Sequence, residues 1–287
     1  MKPTCRISFE FFPPKSAESM EKLMEVAKTL GDFTPAFFSV TFGAGGSTRQ
    51  RTTETLVTLQ NGVNIPIAPH VSCLGFTRPE LLDMLNQYRE LGVIRLVVLR
   101  GDLPQGGMAP KSEFELACDF VSFIRQVSGD HFQIEVAAYP EFHPQALSAT
   151  QDIANLKKKQ DAGANTAITQ YFFNTDAFFY YRDECEKNHI HMPLVPGMMP
   201  ILNVERLVRF SSTCGAEIPR WLLKRLEAYG DDAEAVRQFG IEVVVNMCER
   251  LLKEEVPGLH FYTLNNDEVT AEVLRDLGLQ FSMAKAV

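Results

Sequence analysis

The chain has 287 residues, 45% of them hydrophobic, with no Pro/Gly/Ser-rich or charged run to divide it, so a single domain spanning 1–287 accommodates its length. A net charge of −8 argues against a dedicated nucleic-acid binder, which needs basic surface to neutralise phosphates. No uncharged apolar stretch reaches bilayer length, and a first strand close to Met1 leaves no room for a signal peptide.

The first predicted strand, 5–10, reads Ile7-Ser8-Phe9-Glu10 into Phe11-Phe12-Pro13-Pro14. An ionised carboxylate among aromatics is costly, so it finds a partner or holds a proton, as a general acid must near neutral pH. An outward-facing Glu on a half-exposed strand is the plain alternative. A helix over 17–30 follows, then a strand over 36–41 ending at Thr41. Gly43-Ala44-Gly45-Gly46 reads as a turn, with Ser47/Thr48 as start signals for a helix over 48–60. Strand 65–70 ends at His70, and Thr77 ahead of Pro79-Glu80 opens a helix over 79–91.

Strand 94–99 runs into Arg100-Gly101-Asp102-Leu103-Pro104. This is either a local ion pair capping a turn or a clamp for a phosphate or heterocycle, with glycine allowing close backbone approach. A helix over 113–127 and a strand over 133–138 lead to Tyr139-Pro140-Glu141-Phe142-His143, an aromatic plate and an imidazole in one loop. In the next helix, 152–162, Asp152, Asn155 and Lys159 share a face. Strands 166–171 and 194–197 bring Gln170 and Gly197, two helices fill 218–255, and strand 259–263 ends at Thr263.

Apolar strands separated by helices imply parallel strands under a helical cover, and eight of them match a closed α/β (β/α)8 TIM barrel with an extra helix before the last strand. An open doubly wound sheet is the alternative, weakened by the lack of a Gly-x-Gly-x-x-Gly after a strand. In a barrel the strand ends build one mouth, and nearly every one here carries a polar group. The scattered cysteines Cys5, Cys73, Cys118, Cys185, Cys214 and Cys248 include no Cys-x-x-Cys and suit reduced thiols of a cytoplasmic protein. There is no metal-ligand motif and no Gly-x-Ser-x-Gly elbow. Such a rim suits a flat cofactor and acid-assisted redox chemistry.

The motifs resemble those of the methylenetetrahydrofolate reductase family, short bacterial type. The matching segments include Phe9-Glu10-Phe11-Phe12-Pro13-Pro14, Ser39-Val40-Thr41-Phe42-Gly43-Ala44, Ala68-Pro69-His70, Leu99-Arg100-Gly101-Asp102-Leu103-Pro104, Ile168-Thr169-Gln170-Tyr171 and His260-Phe261-Tyr262-Thr263-Leu264-Asn265. They are colinear from residue 7 to residue 265.

The resemblance implies a barrel holding FAD at its rim. It further implies that hydride passes from NADH or NADPH through the flavin to 5,10-methylenetetrahydrofolate in a ping-pong scheme, feeding methionine synthesis. It assigns Glu10 as general acid and Asp102 as a carboxylate near flavin and folate. Thr41, Phe42, Ala44, His70, Arg100, Gly101, Tyr139, His143, Asp152, Asn155, Lys158 and Lys159 match flavin-contacting positions. Gln170, Phe210, Arg206 and Leu264 fall on the substrate side, no metal is implied, and a homo-oligomer is expected. The larger relatives' S-adenosylmethionine-binding regulatory domain is not expected here. Two positions depart from the pattern: Asn266 where Arg is usual, and Arg206 where Gln is expected. A flavin-free reductase of the same fold and a non-catalytic folate- or pterin-binding barrel are the competing readings.

Overall fold

Alternation within the strands sorts the side chains into two layers. In β1 (Arg6–Phe11), Ile7, Phe9 and Phe11 join the buried layer beneath the helices, while Ser8 and Glu10 point to the other side. The computed structural model describes residues 6–42, 46–101 and 112–279, the side chains of 46–48 excepted. Seven more strands follow: β2 (Phe37–Val40), β3 (Ile67–Ser72), β4 (Arg95–Leu99), β5 (Gln133–Ala138), β6 (Thr166–Tyr171), β7 (Leu194–Met198) and β8 (Gly258–Tyr262). They pair in parallel and in sequential order, and β8 closes on β1 to make the predicted barrel.

The helices are α1 (Ala17–Gly31), α2 (Gly46–Gly62), α3 (Arg78–Glu90), α4 (Ala117–Ser128), α5 (Ala149–Asp161), α6 (Thr175–Lys187), α7 (Val204–Cys214), α8 (Arg220–Ala228), α9 (Ala233–Lys253) and α10 (Glu268–Asp276). The elaborated unit is the last crossover, where α8 and α9 follow α7 before β8. Helix α6 ends just before His189-Ile190-His191, and α10 follows β8.

Local chemistry explains where the elements start. Pro66 has no N–H for the ladder, so β3 begins after it and runs on to Ser72, placing His70 inside the strand rather than at its end. The α3 start is capped as expected, with the Glu80 carboxylate accepting from Thr77 N–H and Oγ1 at 2.8 Å each. Helix α4 begins at Ala117, later than predicted, because the Asp119 carboxylate takes the Leu116 N–H (3.0 Å). Helix α5 begins earlier, at Ala149, because Ser148 Oγ accepts from Gln151 N–H (3.1 Å).

Inside the barrel a small apolar layer of Phe37, Ala68, Val97 and Ile168 forms a floor. Beside it Arg95 pairs with the buried Glu135, its guanidinium 4.8 Å from the Phe37 ring centroid. Above that floor the interior turns polar.

Candidate active site

The β1–β8 register sets Ser8 beside His260 and Glu10 beside Tyr262, and all four belong to the inward-facing set. Glu10 is 11% exposed, with Oε2 3.3 Å from His70 Nε2 and 3.8 Å from His260 Nε2. Ser8 Oγ lies 2.8 Å from His260 Nδ1 and fixes that ring, which stacks on Phe37 and meets Tyr262 edge-on. Burial pushes His70 down to about 4, outweighing the nearby Glu10 carboxylate, and His260 adds to the lowering. The imidazole is therefore neutral near pH 7. Its Nε2 is buried and lies close to Glu10 without hydrogen-bond alignment to any described residue.

Tyr262 donates its hydroxyl to Thr169 C=O (2.7 Å), and burial raises its phenol well above the ordinary value. Gly197 makes room for this ring, because a Cβ there would strike Thr169 O and Tyr262.

A second group gathers at the ends of β4 and β5. The Arg100 guanidinium bonds Gln145 Oε1, and its backbone C=O accepts from Ser72 Oγ (2.8 Å) and Leu74 N–H (2.9 Å). Gly101 follows at φ +100, with Ser72 Oγ where a Cβ would be. Tyr139 and His143 meet edge-to-face at 4.6 Å. Asp152 accepts from His143 N–H (3.1 Å), and Lys159 Nζ donates to Ala137 C=O (2.8 Å). Burial raises the Asp152 carboxyl and lowers the Lys159 ammonium, and each opposes the other's shift.

Helix α7 ties into the β5–β6 side of this mouth. Ser211 Oγ lies 3.0 Å from Tyr171 OH, and the turn after the helix gives Glu217 N–H to Glu141 (2.7 Å). Phe210 is half-buried with the Arg209 guanidinium over its ring, and Arg206 is exposed.

The structure thus brings Glu10 to His70, and Arg100, Tyr139, His143, Asp152 and Lys159 to neighbouring strand ends. Thr41 and Phe42 follow β2, where Thr41 N–H donates to Phe11 C=O (2.9 Å) and Phe42 packs edge-on against Phe76. Asn155 accepts from Gln151, and Gln170 folds back onto Tyr171 N–H. Lys158 is exposed, one position round α5 from Lys159, and Leu264 is half-buried at φ 55. Asp102 and Ala44 lie outside the described residues. Sequence reasoning passed over Ser8, His260 and Gln145. Polar residues alternating with apolar ones in β1 and in Leu259-His260-Phe261-Tyr262 were the signal that marks the first two.

A parallel barrel with an almost buried carboxyl group between two imidazoles at its mouth defines a (β/α)8 enzyme working from the carboxyl ends of its strands. The family model for methylenetetrahydrofolate reductase matches residues 2–278, and the chain belongs to that family of oxidoreductases. It is similar to the 5,10-methylenetetrahydrofolate reductase of Buchnera aphidicola subsp. Schizaphis graminum, 39% identical over 95% of this chain and 91% of that protein. The Escherichia coli (strain K12) enzyme of the same name is 37% identical over 96% and 91%. Methylenetetrahydrofolate reductase (NADH) 1 of Arabidopsis thaliana is 38% identical over 95% of this chain but only 48% of its own length. Among solved structures, an uncharacterised protein from Clostridium thermocellum, described as binding two copies of 5-methyl-5,6,7,8-tetrahydrofolic acid, shares the fold. Its TM-score is 0.64 at 16% identity, over 97% of this chain and 94% of that one.

Proposed function

We propose that residues 1–287 form one catalytic domain that reduces 5,10-methylenetetrahydrofolate to 5-methyltetrahydrofolate, using FAD and either NADH or NADPH. The observation that carries this reading is the Glu10 carboxyl, nearly buried at the barrel mouth between His70 and His260.

The residues at the mouth suit the cofactor. Arg100 and Lys159 supply cationic groups for a diphosphate, and Gly101 keeps a side chain from the backbone beside Ser72. Tyr139 and Asn155 offer polar groups, and His70 has a buried nitrogen with no hydrogen-bond partner among the described residues. Thr41, Phe42, Ala44, His143, Asp152 and Lys158 complete the proposed contact set. Held by these residues, FAD would supply hydride transfer between nicotinamide and folate, with the two substrates using one site in turn.

The chain's own part is proton delivery and positioning. Glu10 gives its proton to a nitrogen of the folate's five-membered ring. The C–N bond breaks with its electron pair going to that nitrogen, and the methylene carbon becomes an iminium that accepts hydride. Neutral His70 lets the carboxyl sit in the barrel without adding a full positive charge, and His260, fixed by Ser8, bounds its other side. Asp102 stabilises the cation electrostatically, Gln170 orients the substrates, and Phe210 stacks on them. Arg206 and Leu264 line the folate side.

Rapid mixing of the Glu10→Gln enzyme tests this. Bleaching by NADH or NADPH should persist, while reoxidation by methylenetetrahydrofolate slows by roughly 100-fold or more. A colourless protein with folate reductase activity would replace this reading with the flavin-free one. Flavin-bound protein that never passes hydride to the folate would replace it with a binding role.

A further inference from the structure

The β1–β8 seam does not stop where the strands stop. Regular pairing runs from Arg6 opposite Gly258 to Glu10 opposite Tyr262. Beyond it, Thr263 Oγ1 donates to Glu10 C=O (2.7 Å) and accepts from Asn265 N–H (3.1 Å). The Asn265 amide then takes both backbone groups of Phe12: Oδ1 accepts from Phe12 N–H (2.8 Å) and Nδ2 donates to Phe12 C=O (2.9 Å). A paired strand would supply one donor and one acceptor in the same way.

Two consecutive non-glycine residues adopt left-handed backbone to make this possible, Leu264 at φ 55 and Asn265 at φ 56. Asparagine tolerates that region and leucine does not favour it, so the conformation persists because the bonds around it hold it. On the opposite side, Thr41 N–H donates to Phe11 C=O (2.9 Å). The backbone from Glu10 to Phe12 is therefore gripped from both neighbouring strands. Phe12 is 41% exposed, so water stands ready to compete for its peptide groups once the amide is removed.

We propose that Asn265 is a positioning residue for Glu10, extending the seam past the last strand pair so that the carboxyl keeps its place between His70 and His260. This rests on the reading of Glu10 as proton donor. Asn265 bonds to Phe12 and Thr263, and through them it acts on the β1 backbone that carries Glu10.

The test compares Asn265→Gly, which keeps left-handed backbone accessible and deletes the amide, with Asn265→Asp, which keeps the acceptor for Phe12 N–H and deletes the donor. Hydrogen exchange at the Phe12 amide should accelerate strongly in Asn265→Gly and less in Asn265→Asp. In the flavin-loaded enzyme, reoxidation by methylenetetrahydrofolate should fall by roughly 10- to 100-fold in Asn265→Gly, the scale of a small misplacement of a catalytic group. Reduction by the nicotinamide should be unchanged. Equal loss of both half-reactions, or unchanged Phe12 exchange, overturns the assignment in favour of a merely structural role. Glu10→Gln losing folate reduction while Asn265→Gly retains it overturns the assignment alone. Glu10→Gln retaining folate reduction overturns the functional reading beneath it.

Discussion

Glu10 Oε2 lies 3.3 Å from Nε2 of His70, and that histidine is pushed down to about 4 by burial. The unfolded chain binds this proton near the ordinary value of 6.5, whereas the native protein binds it only near 4. Between those values the unfolded state holds more protons, so stability is full above about 6.5 and is lost as pH falls toward about 4. The contribution of His70 is on the order of 3 kcal/mol. Urea unfolding across that range should show a shallower pH slope for His70→Gln than for the unsubstituted protein. Identical slopes would remove His70 as the titrating group.

Gly101 leaves no room for a side chain. At φ +100 an L-residue is strained, and a Cβ would collide with Ser72 Oγ, which is itself bound to Arg100 C=O. Gly101→Ala should cost roughly 1–3 kcal/mol in thermal or urea unfolding, and it should weaken flavin retention by displacing Arg100. Adding Ser72→Ala removes the colliding oxygen but not the backbone strain, so the double variant should recover part of the loss. Full recovery would show that strain at this position is negligible, and no recovery that the collision is.

Much of this fold could be read from the strands, because buried parallel strands are short apolar runs and their polar terminal residues mark the rim. Strand 133–138 and strand 166–171 coincide with β5 and β6. The inner histidine was harder. His260 matters through its register against Ser8 and Glu10, and strand register is a property of the closed sheet rather than of either segment. The Arg100–Gln145 bond and the Asn265–Phe12 bonds join residues far apart in sequence, and no local pattern predicts such pairs.

The floor of the barrel carries an ion pair whose partners depend on each other. Glu135 is buried, which raises its carboxyl even against the opposing charge of Arg95. Arg95→Met strands that carboxylate and should destabilise the protein by about 3–5 kcal/mol. Arg95→Met with Glu135→Gln removes both charges and should recover most of that loss. A double variant no more stable than Arg95→Met would mean that Arg95 acts mainly by packing on the Phe37 ring.

Asn266, one of the two departures from the family pattern, has a local task. Its Oδ1 accepts from Val269 N–H (3.4 Å), its C=O accepts from Thr270 Oγ1 (3.5 Å), and its N–H donates to Thr263 C=O (3.0 Å), so it braces the first turn of α10 from the residue before the N-cap, Asp267. Asn266→Arg removes the side-chain acceptor for Val269 N–H and should cost about 1 kcal/mol of stability. Arg206 is exposed on α7, so Arg206→Gln should change stability by less than about 0.5 kcal/mol. If the basic contact to the folate has moved from the α10 side of the mouth to α7, Arg206→Gln should raise the folate KM. Asn266→Arg added to Arg206→Gln should then lower it again, with kcat little changed in each. An unchanged folate KM in both variants would remove the compensation and leave Asn266 a brace for the first turn of α10 alone.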